Sequence, residues 1–299
     1  MTRSIRNRFI AIFILSFPFV LFLGFVLTDL AGPLPPLQPL PNPNGYDDFV
    51  RAGEMASSDS AMAESMGTAD LKKLVETDRE ALAVARAGLG KECRVPAEFS
   101  GTYQKNHIAE IVQLRKLGQA FVAEGRLAER ERRFADAAKS YLDAIRLGDA
   151  SARGGSLIDA MVGIAIDGTG ISALQNIADE LASQPCRETT GSLENLIAGR
   201  QSWQDALQQE NGWSRRTFGW SGQISILLHG KERAKNLRRA EATLVSTQRK
   251  EDQLLVQLAA RAYRLEKGHE IAHSADLVPD YLKFLPRDPL TGSNVVDTP

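Results

Sequence analysis

An all-α fold is predicted for this chain of 299 residues: an N-terminal transmembrane helix, a proline-rich linker, then an α-helical bundle or short solenoid with an extended proline-containing tail. Three observations predict it. Alanine, leucine, glutamate and arginine dominate while aromatics make up 7% of the chain, a balance that favours helix over strand. Apolar residues recur every three or four positions through most of the chain after Tyr46, the period of an amphipathic helix. One uncharged run of bilayer length stands near the start. A net charge of −1 provides no global basic field, which argues against the strongly basic class of nucleic-acid binders.

Residues 1–8 form a basic stub carrying Arg3, Arg6 and Arg8. Residues 9–28, Phe9 to Thr28, contain no charge; as a helix rising ~1.5 Å per residue they span ~30 Å, the thickness of a bilayer's hydrocarbon core. The arginines before the run and Asp29 after it keep the N-terminus in the cytoplasm by the positive-inside rule and send the rest across. A cleaved leader would end in a small-x-small site, but Ala31 is preceded at that spacing by Asp29. Leu30-Ala31-Gly32 opens like a lipoprotein box and is followed by Pro33 instead of cysteine. The expectation is an uncleaved, single-pass signal-anchor in the cytoplasmic membrane. The linker, 29–45, carries prolines at 33, 35, 36, 39, 41 and 43. Gly32 to Asn44 reads as a stiff polyproline stalk of about 40 Å at ~3.1 Å per residue rather than a docking motif for a proline-binding module.

The extracytoplasmic helical domain is 46–299. Thr68 caps a helix with the stripe Leu71, Leu74, Val75, Leu82 and Leu89; Gly90, Cys93 and Pro96 mark a break. Ile108, Ile111, Leu114, Leu117 and Phe121 line the next helix, Arg132-Arg133 is a turn, and Phe134, Ala137, Ala138, Tyr141 and Ile145 follow at helical spacing. Leu157 to Leu181 reads as one long helix, with Ile158, Met161, Val162, Ala165, Thr169, Ile177 and Leu181 as its stripe, ended by Gln184-Pro185-Cys186. Further stripes run from Trp203 to Leu228 and from Leu237 to Leu265, and Gly268 stops the last helix. The tail, 278–299, contains Pro279, Pro286 and Pro289, which exclude a long helix. Tyr281, Leu282 and Leu285 are expected to lay it against the bundle.

Several patterns carry chemistry in other settings. His269-Glu270-Ile271-Ala272-His273 matches the H-E-x-x-H of zinc hydrolases, in which two histidines on one helix face bind the metal and the glutamate acts as base. Gly268 before it, Pro279 after it and the lack of any glutamate after Glu270 to serve as a third ligand favour a surface turn; a membrane-tethered zinc hydrolase is the alternative function. Gly168-Thr169-Gly170-Ile171-Ser172-Ala173 has dinucleotide spacing, yet no strand or βαβ unit surrounds it, so tightly packed glycines of a buried helix explain it and no nucleotide is expected. Trp203, Trp213 and Trp220 are read as core rather than a sugar-stacking platform. Lys231, Arg233, Lys235, Arg238 and Arg239, interleaved with Glu232 and Glu241, are read as a solvated helix face rather than a lipid-headgroup site. Cys93 and Cys186, the two cysteines, are expected to form a disulfide in an oxidising compartment. No catalytic residue, cofactor or metal is assigned.

Residues 118–151 resemble one tetratricopeptide hairpin: Phe121, Gly125 and Ala128 match its first helix, and Phe134, Ala137, Tyr141, Ala144 and Ile145 its second. No second copy follows at the 34-residue period of that repeat. From Leu114 onward the chain resembles a group of membrane-anchored, mostly helical bacterial envelope proteins to which no activity is assigned. Tyr141 to Gly148, Leu157 to Ala165, Ala262 to Gly268, Leu277 to Leu282 and Pro286 to Gly292 carry that likeness. The tail is also similar to that of major pseudopilins of type II secretion, although Phe9 onward lacks their Gly-Phe-Thr-Leu-x-Glu start. The resemblance supports the fold and leaves function open; the anchor, the stalk, the hairpin and the absence of a convincing catalytic constellation lead to the expectation of a non-enzymatic scaffold or interaction module, with the lipid bilayer and another envelope protein as partners and no nucleic acid.

Overall fold

The computed structural model describes residue 34 and residues 36–286, apart from 101 and 229. The chain divides into two units, Met1–Gln38 and Pro39–Pro299. The expected membrane helix at 9–28 and the tail beyond Pro286 lie outside the described residues. Among the described residues there are eight α-helices and no strand, as the all-α reading requires.

Helix α1, Gly45–Met55, starts where the Asn44 side chain accepts from the Tyr46 amide. Asn44 also donates to the Arg94 carbonyl at 2.8 Å and accepts from the Arg94 amide at 3.0 Å, so one side chain sets the helix start and ties it to the segment around Arg94. Helix α2, Thr68–Leu89, follows a 3-10 turn at Ser58–Met62. Buried Asp78 of α2 holds that turn, accepting from the Ser57 amide and the Ser60 hydroxyl at 2.7 and 2.8 Å. A small apolar cluster of Ala63, Leu71, Leu74, Ala123 and Leu127 lies beneath it.

Helices α3, Tyr103–Arg130, and α4, Phe134–Ala152, form an αα-hairpin. The chain reverses at Arg132, whose φ is 59°, and the Arg133 amide donates back to the Ala128 carbonyl at 2.8 Å. Gly125 has no side chain because the Tyr141 ring occupies that space. Phe121, Tyr141, Ile145, Ile171, Leu174 and Leu258 are fully buried in the main core, each burial worth about 1.5–3 kcal/mol.

Helix α5, Leu157–Ile177, begins in a capping box between Ser156 and Asp159. Its buried face is Gly163, Ile166, Asp167, Gly170, Ile171 and Leu174. This corrects most of the expected stripe, since Ile158 and Met161 are each 41% exposed and Ala165 and Thr169 are exposed too, whereas Ile177 and Leu181 are buried as expected. Glycines let α4 and α5 approach closely. A methyl at Gly148 would lie 2.6 Å from the Gly163 carbonyl oxygen, and one at Gly163 would lie 2.6 Å from that of Gly148. The segment Leu157–Glu180 is long and apolar enough to cross a membrane by length and composition, yet one face packs in the core of this bundle.

A 3-10 turn at Ala178–Glu180 leads to α6, Ser183–Gly199, so that Gln184-Pro185-Cys186, expected to be a break, lies inside the start of a helix. Pro185 sits in its first turn, where a missing amide costs nothing. Helix α7, Trp203–Leu228, is interrupted at Gly219 with φ 53°, and α8, Gly230–Lys267, ends at Gly268 with φ 78°.

Up to Pro286 the tail runs through turns rather than as an extended strip. Leu277 closes a 3-10 turn, and its carbonyl accepts from the Tyr281 and Leu282 amides at 2.9 Å each. Leu277, Tyr281 and Leu282 are buried. The Lys283 amide donates to Glu194 of α6 at 2.7 Å, and the Tyr281 hydroxyl to Glu266 of α8 at 2.8 Å. The Arg187 guanidinium covers the Tyr281 ring at 4.7 Å.

Candidate functional site

The H-E-x-x-H stretch lies in bends after α8, so His269 and His273 are not presented on one helix face. Glu270 pairs with Arg264 at 2.9 Å, the His269 Nδ1 lies 2.9 Å from the Glu270 carbonyl, and His273 caps the turn at Ser274–Leu277. Among the described residues no group of three or more histidine, cysteine, aspartate or glutamate side chains is placed to hold a metal ion. The dinucleotide-like glycines sit inside α5. A methyl at Gly170 would meet Ile145 at 2.7 Å and the Tyr141 carbonyl oxygen at 2.9 Å.

Cys93 and Cys186 are both buried and free, so the expected disulfide is not formed. Their surroundings differ: Cys93 lies beside Gly45 and feels Arg153 and Asp149, whereas Cys186, inside α6, feels Arg261 and Asp179. Burial pushes both thiols up, Cys93 to about 12 and Cys186 to about 11, which leaves them protonated and unreactive near neutrality. Trp203 and Trp213 are half-buried, and the Trp213 ring nitrogen donates to the Glu98 carbonyl at 2.9 Å; the side chain of Trp220 lies outside the described residues. The basic run occupies the exposed start of α8, where Arg233 donates to Asn211 at 2.8 Å.

The structure brings together three groups of polar residues that the sequence reading did not single out. The first lines a groove of about 820 Å³ beside the α3–α4 hairpin, walled by α2 and α6. Arg86 of α2 donates to Asp143 of α4 at 2.8 Å and forms a close two-point pair with Glu124 of α3. Ser140 donates to Glu124 at 2.6 Å, and Arg146 stands 3.6 Å from Asp143. Burial pushes the Asp143 carboxyl up, opposed by Arg86. Lys139, Gln184 and Glu188 complete the walls, which makes the groove polar and mixed in charge.

The second group centres on Arg200, the residue that ends α6. Its fork grips Glu251 of α8 at 2.7 and 3.0 Å, reaches Asp167 of α5 at 3.3 Å and stands 3.6 Å from Asp149 of α4. Arg153 holds the other oxygen of Asp149 at 2.6 Å. Burial pushes the Asp167 carboxyl well above the usual carboxylate range; Arg200 opposes this, while Glu251 and Asp149 add to it. The third group is His107 of α3, whose Nε2 lies 2.6 Å from Asp159 of α5 and whose Nδ1 lies 3.0 Å from Glu110. The Tyr46 hydroxyl of α1 donates to the same Glu110 at 3.2 Å, and the Tyr103 ring stacks on His107 at 4.9 Å.

The second and third groups left a trace in the sequence. Glu251 falls in register with Leu254, Leu255 and Leu258, Asp167 with Gly163, Ile171 and Leu174, and His107 with Ile111 and Leu114. A charged residue on an apolar stripe is buried, and a buried charge needs partners. No protein family, curated protein or solved structure matches the chain.

Proposed function

We infer that the chain is a membrane-anchored scaffold whose helical domain stands outside the cytoplasm and docks another envelope protein. The uncharged run from Phe9 to Thr28, flanked by Arg3, Arg6 and Arg8, supports the anchor and its direction, and the prolines from 33 to 43 support a stalk. The observation that carries the docking role is the groove beside the αα-hairpin. Its residues are paired among themselves yet remain partly open: Arg86 is 40% exposed and Arg146 44%. Such a surface offers polar contacts to a peptide segment at little desolvation cost. The likeness to a single tetratricopeptide unit supports the αα-hairpin itself; the peptide groove of that repeat takes several stacked units, so the docking role rests on the groove residues. The His269–His273 stretch lends the zinc-hydrolase alternative little support, because it lies in bends and does not present both histidines on one helix face.

Photo-crosslinking residues placed in the full-length chain test this reading in intact cells. A probe at Lys139 or Glu188, inside the groove, is expected to trap one discrete protein band that a probe at Lys105, outside it, does not. Identical patterns at all three positions would remove the groove from the account.

A further inference from the structure

Helix α8 is 38 residues long, and its buried leucines, Leu254, Leu255 and Leu258, all lie in its second half. In the first half Lys231, Lys235, Arg238 and Arg239 are exposed. They stand at i, i+4, i+7 and i+8, a spacing that sets all four on one face. Buried Ala240 and half-buried Arg233, Leu237 and Leu244 take the opposite face. Glu232 and Glu241 fall on the two flanks, so the exposed stripe holds no acid. Among the described residues none of the four cations makes a side-chain hydrogen bond or an ion pair, whereas Arg233, on the other face, donates to Asn211 at 2.8 Å. Gly230, Ala234 and Ala242 leave a shallow hollow of about 640 Å³ beside the long basic side chains.

Like charges one helical turn apart repel, and an anion laid along them relieves that repulsion. The place of the stripe in the fold points to the anion. The chain enters the bundle at Pro39, whose carbonyl accepts from Arg94 at 3.0 Å. Helix α7 is fixed to the same segment: the Trp213 ring nitrogen donates to the Glu98 carbonyl at 2.9 Å, and the Arg216 guanidinium lies 5.4 Å from the centre of the Phe99 ring. Asn211, which takes Arg233, is two residues before Trp213. The stripe therefore begins on the side of the bundle where the linker arrives. Residues 29–38, between the uncharged run and Pro39, reach about 30 Å as a polyproline helix. In the sequence the stripe also follows directly on residues 217–230, which contain no aspartate, glutamate, lysine or arginine and include Ile224, Ile226, Leu227 and Leu228. Apolar residues followed by cations are the composition of a segment that lies at a bilayer surface.

We propose that Lys231, Lys235, Arg238 and Arg239 dock the first half of α8 on the anionic phosphate headgroups of a lipid bilayer. The arginines offer forked donors to phosphate oxygens, and the lysines add point charges. Each cation held near an anionic bilayer raises binding by about fivefold, an attraction that salt screens. The tether to the same membrane, which rests on the proposed anchor, makes this docking intramolecular and raises the effective concentration of the surface. The stripe itself does not depend on the anchor, nor on the hairpin groove. An acidic protein would match the charge, but it would explain neither the apolar run beside the stripe nor its place on the linker side.

The full-length chain reconstituted into vesicles tests the proposal, with a fluorophore on Ala242→Cys, an exposed position on the stripe; the two native thiols are buried. The vesicles carry a lipid with a nitroxide quencher on its headgroup. They are made of phosphatidylcholine alone or with phosphatidylglycerol at about one lipid in three, so that the second surface is anionic. The expected result is quenching in the anionic vesicles at low salt, lost at high salt and absent in the neutral ones. Lys235→Gln with Arg238→Gln should lower the docking constant by about thirtyfold, two cations at about fivefold each. Lys72→Gln with Lys73→Gln, the same change of charge at exposed positions of α2, should leave it unchanged. Alkaline carbonate extraction reports the anchor separately: a chain that it strips from the vesicles has lost the anchor, and added back it should still be quenched by the anionic vesicles alone. No quenching in anionic vesicles would overturn the proposal and leave the stripe to an acidic protein. Equal quenching in both kinds of vesicle, or quenching undiminished by Lys235→Gln with Arg238→Gln, would overturn it as well.

Discussion

Gly168 and Gly170 stand two positions apart on α5 and meet different surroundings. A methyl at Gly168 finds nothing nearer than Thr247 at 3.9 Å, whereas one at Gly170 strikes the Tyr141 carbonyl oxygen at 2.9 Å. Gly168→Ala is therefore expected to be neutral or to stabilise by up to ~1 kcal/mol through helix propensity, and Gly170→Ala to cost about 1–3 kcal/mol by overpacking. Denaturant titration of the two variants checks the pair; equal losses would mean that both glycines serve something other than helix packing. His107 calls for a pH profile. Burial lowers its pKa, but its hydrogen bonds and charge interactions with Asp159 and then Glu110 outweigh that and raise it above 6.5. A raised pKa in the folded state gives stability that is complete below the unfolded value of about 6.5 and fades as pH rises through the folded value. His107→Gln should thus cost about 3–5 kcal/mol near pH 6, where a buried pair is broken, and clearly less in alkaline solution. A penalty that grew with pH would show that His107 acts there as the neutral ring. Glycine spacing and charged residues on apolar stripes were legible in the sequence at this scale. Which acid meets which base was not, because the pairs lie far apart along the chain: Arg200 meets Glu251 across 51 residues and His107 meets Asp159 across 52.

Helix α6 shows where periodicity gives out. Ser183 to Gly199 is rich in serine, threonine and glycine, which are weak helix formers, and its buried side includes Thr189, Thr190 and Glu194 beside Cys186 and Leu193. Packing against α8 and against the tail supplies what propensity does not. The hairpin α3–α4 was legible because its stripes are strongly apolar and its turn is short; the buried face of α5 was not, because glycine carries no hydropathy and the packed face is the one with the least side chain. The tail yields the test at this scale. Truncation after Gly268 removes Leu277, Tyr281 and Leu282, whose burial contributes roughly 3–6 kcal/mol before ordering costs. The shortened chain is expected to melt at a lower temperature and to bind an apolar dye at the uncovered faces of α6 and α8. An unchanged melting temperature would mean that the docked tail contributes nothing to the fold.

At the scale of the whole molecule an anchor, a stalk and a bundle are proposed, and of these the bundle and residues 34 and 36–45 of the linker fall within the described residues. Burial and pairing within it follow from packing, so its all-helical character is legible in composition and period. The proposed crossing of a membrane and its direction rest instead on three arginines before an uncharged run and one aspartate after it. A reporter enzyme that folds only outside the cytoplasm, fused after Thr291 of the full chain, measures that direction. The expected result is an active reporter, retained in the membrane fraction after alkaline carbonate extraction, on a chain whose N-terminus still precedes Phe9. An inactive reporter, or a soluble product whose N-terminus lies at or beyond Ala31, would contradict it.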